Sequence, residues 1–201
     1  MARANAKAPP ATPAAPRILT IGHSTRPIED FIAMLQAHGV KEIVDIRTIP
    51  RSRHNPQFNR ENLPAALEQA GIGYIHMGGL GGLRHPRKDS RNTGWRNSGF
   101  RGFADYMETP EFRSALGELI EEAARSRVAI MCAEAVPWRC HRSLIADALT
   151  ARAIPVEHIM DDANRHPHEL TPFALVQGTE ITYPADPDQQ HLLFDETVPG
   201  G

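Results

Sequence analysis

The densest chemistry in this chain lies in one segment, VAIMCAEAVPWRCHRSLIADAL, where an apolar run ends at Cys132 and Glu134, and Cys140, His141 and Arg142 precede a helical pattern. A thiol at such a strand-loop-helix junction faces helix amide donors, and these, with nearby guanidinium groups, can stabilise a thiolate or hold an oxyanion. Arg139 and Arg142 add bidentate donors for a phosphate, sulfate or carboxylate. Cys132 therefore reads as a nucleophile or polarised thiol, or else as a small buried hydrophobe at a strand end. A neighbouring carboxylate raises a thiol pKa unless a cation offsets it, so Glu134 reads alternatively as the general acid or base, with His141 as its partner in moving protons. Cys132 and Cys140 could close a reversible disulfide, and the two cysteines with His141 and His23 could hold zinc, although the spacing matches no standard zinc pattern. No cofactor is assigned from the sequence, zinc being the one alternative.

These residues need a scaffold. Five short apolar runs, Ile18 to Ile21, Ile43 to Ile46, Tyr74 to Met77, Val128 to Cys132 and Val156 to Ile159, have strand length and composition. Between the first two, Ile28, Phe31, Ile32 and Leu35 keep helical spacing, with Pro27 at the start and Gly39 as a left-handed stop. A second helix, capped by Asn59, carries Leu63, Ala66, Leu67 and Ala70. A third carries Phe112, Leu116, Leu119, Ile120 and Ala123, and a fourth follows Arg142 with Leu144, Ile145, Ala148 and Leu149. Alternating strands and helices predict an α/β domain with a mostly parallel five-stranded sheet and helices on both faces, a Rossmann-like, doubly wound arrangement.

In such sheets ligands bind beyond the carboxyl ends of the strands. Each run here leads into polar residues at that edge: His23 and Ser24, Arg47 with Arg51 and Ser52, His76, Cys132 and Glu134, and Asp161 and Asp162. Asp45 and Arg47 share a face of the second strand by alternation, which suits a structural ion pair for Asp45 and anion contact for Arg47.

Of the 201 residues, 41% are hydrophobic and 23% charged, an ordinary balance that points away from fibrous, disordered and membrane classes. The Ala/Pro-rich residues 1–16 have too little apolar bulk for a signal-peptide core and read as a disordered tail. No run approaches the roughly twenty apolar residues of a membrane span, and two cysteines are too few for a secreted disulfide scaffold, so a reducing cytoplasm is the expected location. The net charge of −2 conceals a +7 segment from Arg47 to Arg101 on a remainder of −9, as an anion-binding face would show. Residues 78–102 hold seven glycines and no periodicity, and read as a long functional loop. The domain is expected over 17–172, with 173–201 a flexible tail.

The combination of IGHST, IVDIRTIPRSR followed by Phe58 and Asn59, GGLGG and CAEAVPWRCHR resembles the domain of unknown function 488 family over roughly residues 18–162. The resemblance implies the α/β fold and marks His23, Ser24, Asp45, Arg47, Pro50, Ser52, Cys132, Glu134, Cys140, His141 and Arg142 as motif positions; it brings no established reaction. A looser similarity is to rhodanese-like and cysteine-phosphatase domains, from which the longer interval between Cys132 and Arg139 and the lack of loop glycines depart. In the tail, Gln190, Leu193 and Phe194 of QHLLF resemble the peptide by which bacterial repair and replication proteins dock on the sliding clamp, although a patch folding back on the domain fits as well.

The leading expectation is an enzyme-like protein, a thiol- or acid/base-dependent hydrolase or transferase. It would bind an anionic, phosphate-bearing ligand through Arg47, Arg51, Ser52 and Arg142, with Cys132, Glu134, His141 and His23 as the catalytic set and Ser24, Asp45 and Cys140 in support. The alternatives are a DNA-repair-associated protein, its Arg-rich segment on the backbone and Trp95 and Phe100 stacked on bases, and a non-catalytic scaffold.

Overall fold

In the computed structural model, which describes residues 16–185, the apolar runs become parallel strands β1 (Ile18–Gly22), β2 (Glu42–Asp45), β3 (Gly73–His76), β4 (Val128–Cys132) and β5 (Val156–Ile159). The helices are α1 (Ile28–Ala37), α2 (Leu63–Gln69), α3 (Ser98–Met107), α4 (Pro110–Arg125) and α5 (Arg142–Thr150). Strand order is β3-β2-β4-β1-β5-β6, where β6 (Arg165–Pro167) joins β5 antiparallel, and β7 (Leu175–Gln177) and β8 (Glu180–Thr182) form a separate hairpin.

Side-chain alternation sorts the core into two layers. Leu19, Ile21, Ile43, Ala129 and Met131 pack with Phe31 and Leu35 of α1 and Leu63 and Leu67 of α2. On the other face Ile18, Val44, Ile46, Val128, Ile130 and Cys132 pack with Phe103 of α3, Phe112, Leu116 and Leu119 of α4, and Leu144 and Ile145 of α5. The described residues thus form a single α/β domain with a mostly parallel sheet covered on both faces. No helix among the described residues is long and apolar enough to cross a membrane.

Four expectations change. The sheet has a sixth strand, three residues long, half polar and ending in Pro167, which carries no apolar run to read. The glycine-rich segment is partly helical. Asn97 caps α3 by accepting from Gly99 N at 2.8 Å and Phe100 N at 3.2 Å, and Gly102 admits the Arg84 backbone, whose oxygen would stand 2.5 Å from a Cβ there. Glycine lowers helix propensity, and here close packing outweighs that cost. Residues 173–185 belong to the packed domain rather than a tail. Only Ile181 and Tyr183 of the hairpin segment point into the core, too few for a visible pattern. Finally, α2 begins after Asn62, and Asn59 accepts from Ser52 N instead of capping it. Residues 1–15 and the peptide residues Gln190, Leu193 and Phe194 lie outside the described residues.

Candidate active site

Strand register brings the carboxyl ends of β1, β4 and β2 level. Gly22 pairs with Cys132 and Asp45 with Met131, so His23, Arg47 and Cys132 leave the sheet at one height. Above them lies a cavity of about 700 Å³. His23, Ser24, Arg47, Arg51, Ser52, Cys132, Glu134, Cys140 and His141 all line it.

At its floor three donor groups converge. His141 Nδ1 lies 4.0 Å from Cys132 Sγ and 3.8 Å from Cys140 Sγ. The ring is fixed from behind, because Nε2 meets the Leu80 carbonyl at 3.1 Å and must carry the proton there. The Nδ1 lone pair therefore faces the two sulfurs. The neighbouring Cys140 thiol is the main influence that holds the Cys132 thiol well below the usual range, against the opposing effect of burial. The same contact and burial push Cys140 up. GGLGG explains itself here: a Cβ on Gly82 would stand 2.4 Å from His141 Nδ1, so only glycine lets that backbone lie along the imidazole.

A second layer sets the wall. Arg47 Nε donates to both Asp45 oxygens at 2.9 and 3.1 Å, its Nη2 donates to Asp45 Oδ2 at 2.5 Å and to the Phe58 carbonyl at 2.7 Å, and Tyr74 donates its hydroxyl to Asp45 at 2.9 Å. Its remaining Nη1 reaches His23 Nε2 at 3.2 Å. His23 Nδ1 meets the Ser24 carbonyl at 2.8 Å, and the ring stacks on Phe58. Burial is the main cause that lowers the His23 pKa to about 4, so it stays neutral near pH 7 with both nitrogens engaged. Ser52 accepts from Asn55 N, and both residues line the cavity.

The loop after β4 is held by two devices. Arg142, 1% exposed, donates to the Glu134 and Ala135 carbonyls and does not line the cavity; it is a brace for the loop, not the anion contact expected of it. Gly22 lets the loop cross the end of β1, because a Cβ there would stand 1.9 Å from the Glu134 carbonyl oxygen. Gly22→Ala is therefore expected to destabilise by about 1–3 kcal/mol or more through overpacking. Urea denaturation measures this, and an unchanged midpoint would mean that the loop does not need the glycine.

Several sequence candidates lie elsewhere. Asp161 caps its own turn through Ala163 N and Asn164 N, and His76 turns back to the Arg47 carbonyl. Half of the ten basic residues in the +7 segment have partners within the fold: Arg47 pairs with Asp45, Arg84 lies over the Tyr106 ring, Arg87 and Arg91 pair with Glu108, and Arg101 donates to the Trp95 carbonyl. Trp95 stacks on Phe100 at 4.7 Å, which covers one face of each ring, and Phe100 itself lines the cavity. Conversely Thr25, Thr48, Asn55 and Asn97 line the cavity, and nothing in a single sequence separates them from ordinary loop residues.

The family model described as domain of unknown function DUF488 matches residues 27–149, and the chain belongs to that family. The matched residues include the Asp45–Arg47 and Cys132–Arg142 segments and begin after Gly22, His23 and Ser24. No curated protein and no solved structure matches the chain.

Proposed function

We propose that this member of the family is an enzyme that binds an anionic, phosphate-bearing ligand at the carboxyl edge of its sheet and processes it on the sulfur-imidazole centre of Cys132, Cys140 and His141. One observation carries the reading. A single cavity has that centre as its floor and, on its walls, Arg47, Arg51 and Arg139 against one carboxylate, Glu134. Among these, Arg51 and Arg139 are exposed, and each has a planar fork of donors that matches a phosphoryl group. Arg47 is committed to Asp45 and contributes only the edge of its guanidinium, through Nη1. Glu134, exposed on the loop over the centre, is placed to exchange protons between ligand and water. The two free cysteines support a reducing, cytoplasmic setting for such a site.

Calorimetric titration with inorganic phosphate and with nucleoside mono- and diphosphates tests this. Arg51→Ala with Arg139→Ala removes two exposed side chains, a change expected to leave folding within about 0.5 kcal/mol per site. Binding should weaken about 10- to 100-fold, as expected for losing charge-assisted hydrogen bonds. Equal affinity in the variant would remove the arginines from ligand binding.

A further inference from the structure

The two cysteines pose a question that the cavity alone does not answer. One imidazole suffices to activate one thiol, yet here two buried sulfurs, 7% and 3% exposed, converge on the same Nδ1. All three donor atoms lie within 4.8 Å of one another. Bond lengths of about 2.3 Å to sulfur and 2.0–2.1 Å to imidazole nitrogen put the donors of a tetrahedral zinc site roughly 3.6–3.8 Å apart. The observed 3.8 and 4.0 Å separations approach that spacing. The imidazole is also prepared as a metal ligand: its outer nitrogen donates to a backbone carbonyl, Leu80, which fixes the tautomer and aims the lone pair inward. His23 is not part of the set, because the Ser24 carbonyl and Arg47 take both its nitrogens.

We propose that Cys132, Cys140 and His141 bind one zinc-class divalent ion, with the remaining coordination position open to the cavity. Two sulfurs and one imidazole are a soft donor set that selects zinc-like ions over magnesium or calcium. Three protein ligands and an open position is the arrangement of catalytic rather than structural zinc. All three residues line the cavity, so the open position faces the space assigned to the anionic ligand, whose oxygen would complete the tetrahedron. This last point rests on the proposed function; the metal site itself does not.

The test uses the full chain, reduced, stripped with a chelator, and titrated with cobalt(II) as an optical probe. One equivalent should produce sulfur-to-cobalt charge-transfer absorption in the near ultraviolet together with intense visible bands of a tetrahedral ion, and zinc should displace it. Cys140→Ser should lose part of the charge-transfer intensity, and Cys132→Ser with Cys140→Ser all of it. His141→Ala should weaken the visible bands, with circular dichroism confirming that each variant is folded. If a variant does not fold, the wild-type titration still decides, since absence of charge-transfer absorption in the reduced protein overturns the proposal. So does a spectrum that survives loss of both sulfurs. Phosphate added to the cobalt-loaded protein should shift the visible bands. A metal signature insensitive to any anion would retain the metal site and count against the ligand assigned to the cavity, whereas anion binding without metal uptake would do the reverse.

Discussion

Asp45→Ala is expected to cost about 3–5 kcal/mol, the largest effect of any single change around the cavity. Asp45 is fully buried, and Arg47 is 6% exposed. Removing the carboxylate leaves a guanidinium without its counter-charge in a nearly closed site and also strips the Tyr74 hydroxyl of its acceptor. The consequence is local as well as global. Arg47 links Asp45 to the Phe58 carbonyl and to His23, so its release loosens the wall on which His23 stacks. Urea denaturation reads the stability, and a loss below about 1 kcal/mol would mean that the pair is solvated and does not brace the site.

Asp147→Ala is expected to be of similar size, about 3–5 kcal/mol, for a different reason. Its buried carboxylate accepts from His168 Nε2, from Thr171 N and Oγ1, and from the Tyr183 hydroxyl, at 2.7–3.0 Å. Those bonds pin residues 168–183 to α5, the helix that carries the sulfur-imidazole centre at its start. Behind His168 the chain of bonds continues: His168 Nδ1 faces His158 Nε2 at 3.0 Å, and His158 Nδ1 faces the Thr20 hydroxyl at 2.7 Å. Burial first, then the neighbouring His168, Arg142 and His166, push the His158 pKa down to about 3, with Asp147 opposing. The unfolded chain takes up that proton near pH 6.5, so His158 contributes its full stability above pH 6.5 and loses it progressively as pH falls toward 3. Wild-type denaturation midpoints should therefore fall between pH 7.5 and 5, and His158→Gln should flatten that slope. An equally steep slope in the variant would place the acid sensitivity elsewhere.

How far the sequence reveals this protein depends on which forces act where. The central strands β1 and β4 are legible because fully buried strands must be largely apolar, and Gly39 and Gly71 announce helix ends through left-handed backbones that the structure contains. The edge holding His23, Arg47, Cys132 and His141 is legible because parallel topology sends every strand end to one side. What was not legible depends on single contacts. Arg142 looks like an anion ligand in sequence and turns both terminal guanidinium nitrogens to two loop carbonyls. Trp95 and Phe100 look available for stacking and stack on each other. The β7–β8 hairpin gives no periodic signal because its strands are three residues long and mostly exposed. The convergence of Cys140 on His141 is set by a 3-10 turn over Pro137–Arg139, a geometry that spacing alone does not express.

The measurement that bears most directly on the function proposed is alkylation of Cys132 by iodoacetamide in the metal-free chain carrying Cys140→Ser, followed at fixed pH against increasing phosphate and nucleotide. An anionic ligand seated over the centre should slow alkylation saturably, and Arg51→Ala with Arg139→Ala should remove the protection. An alkylation rate unchanged by any of these anions at saturating concentration would contradict an anionic ligand at Cys132.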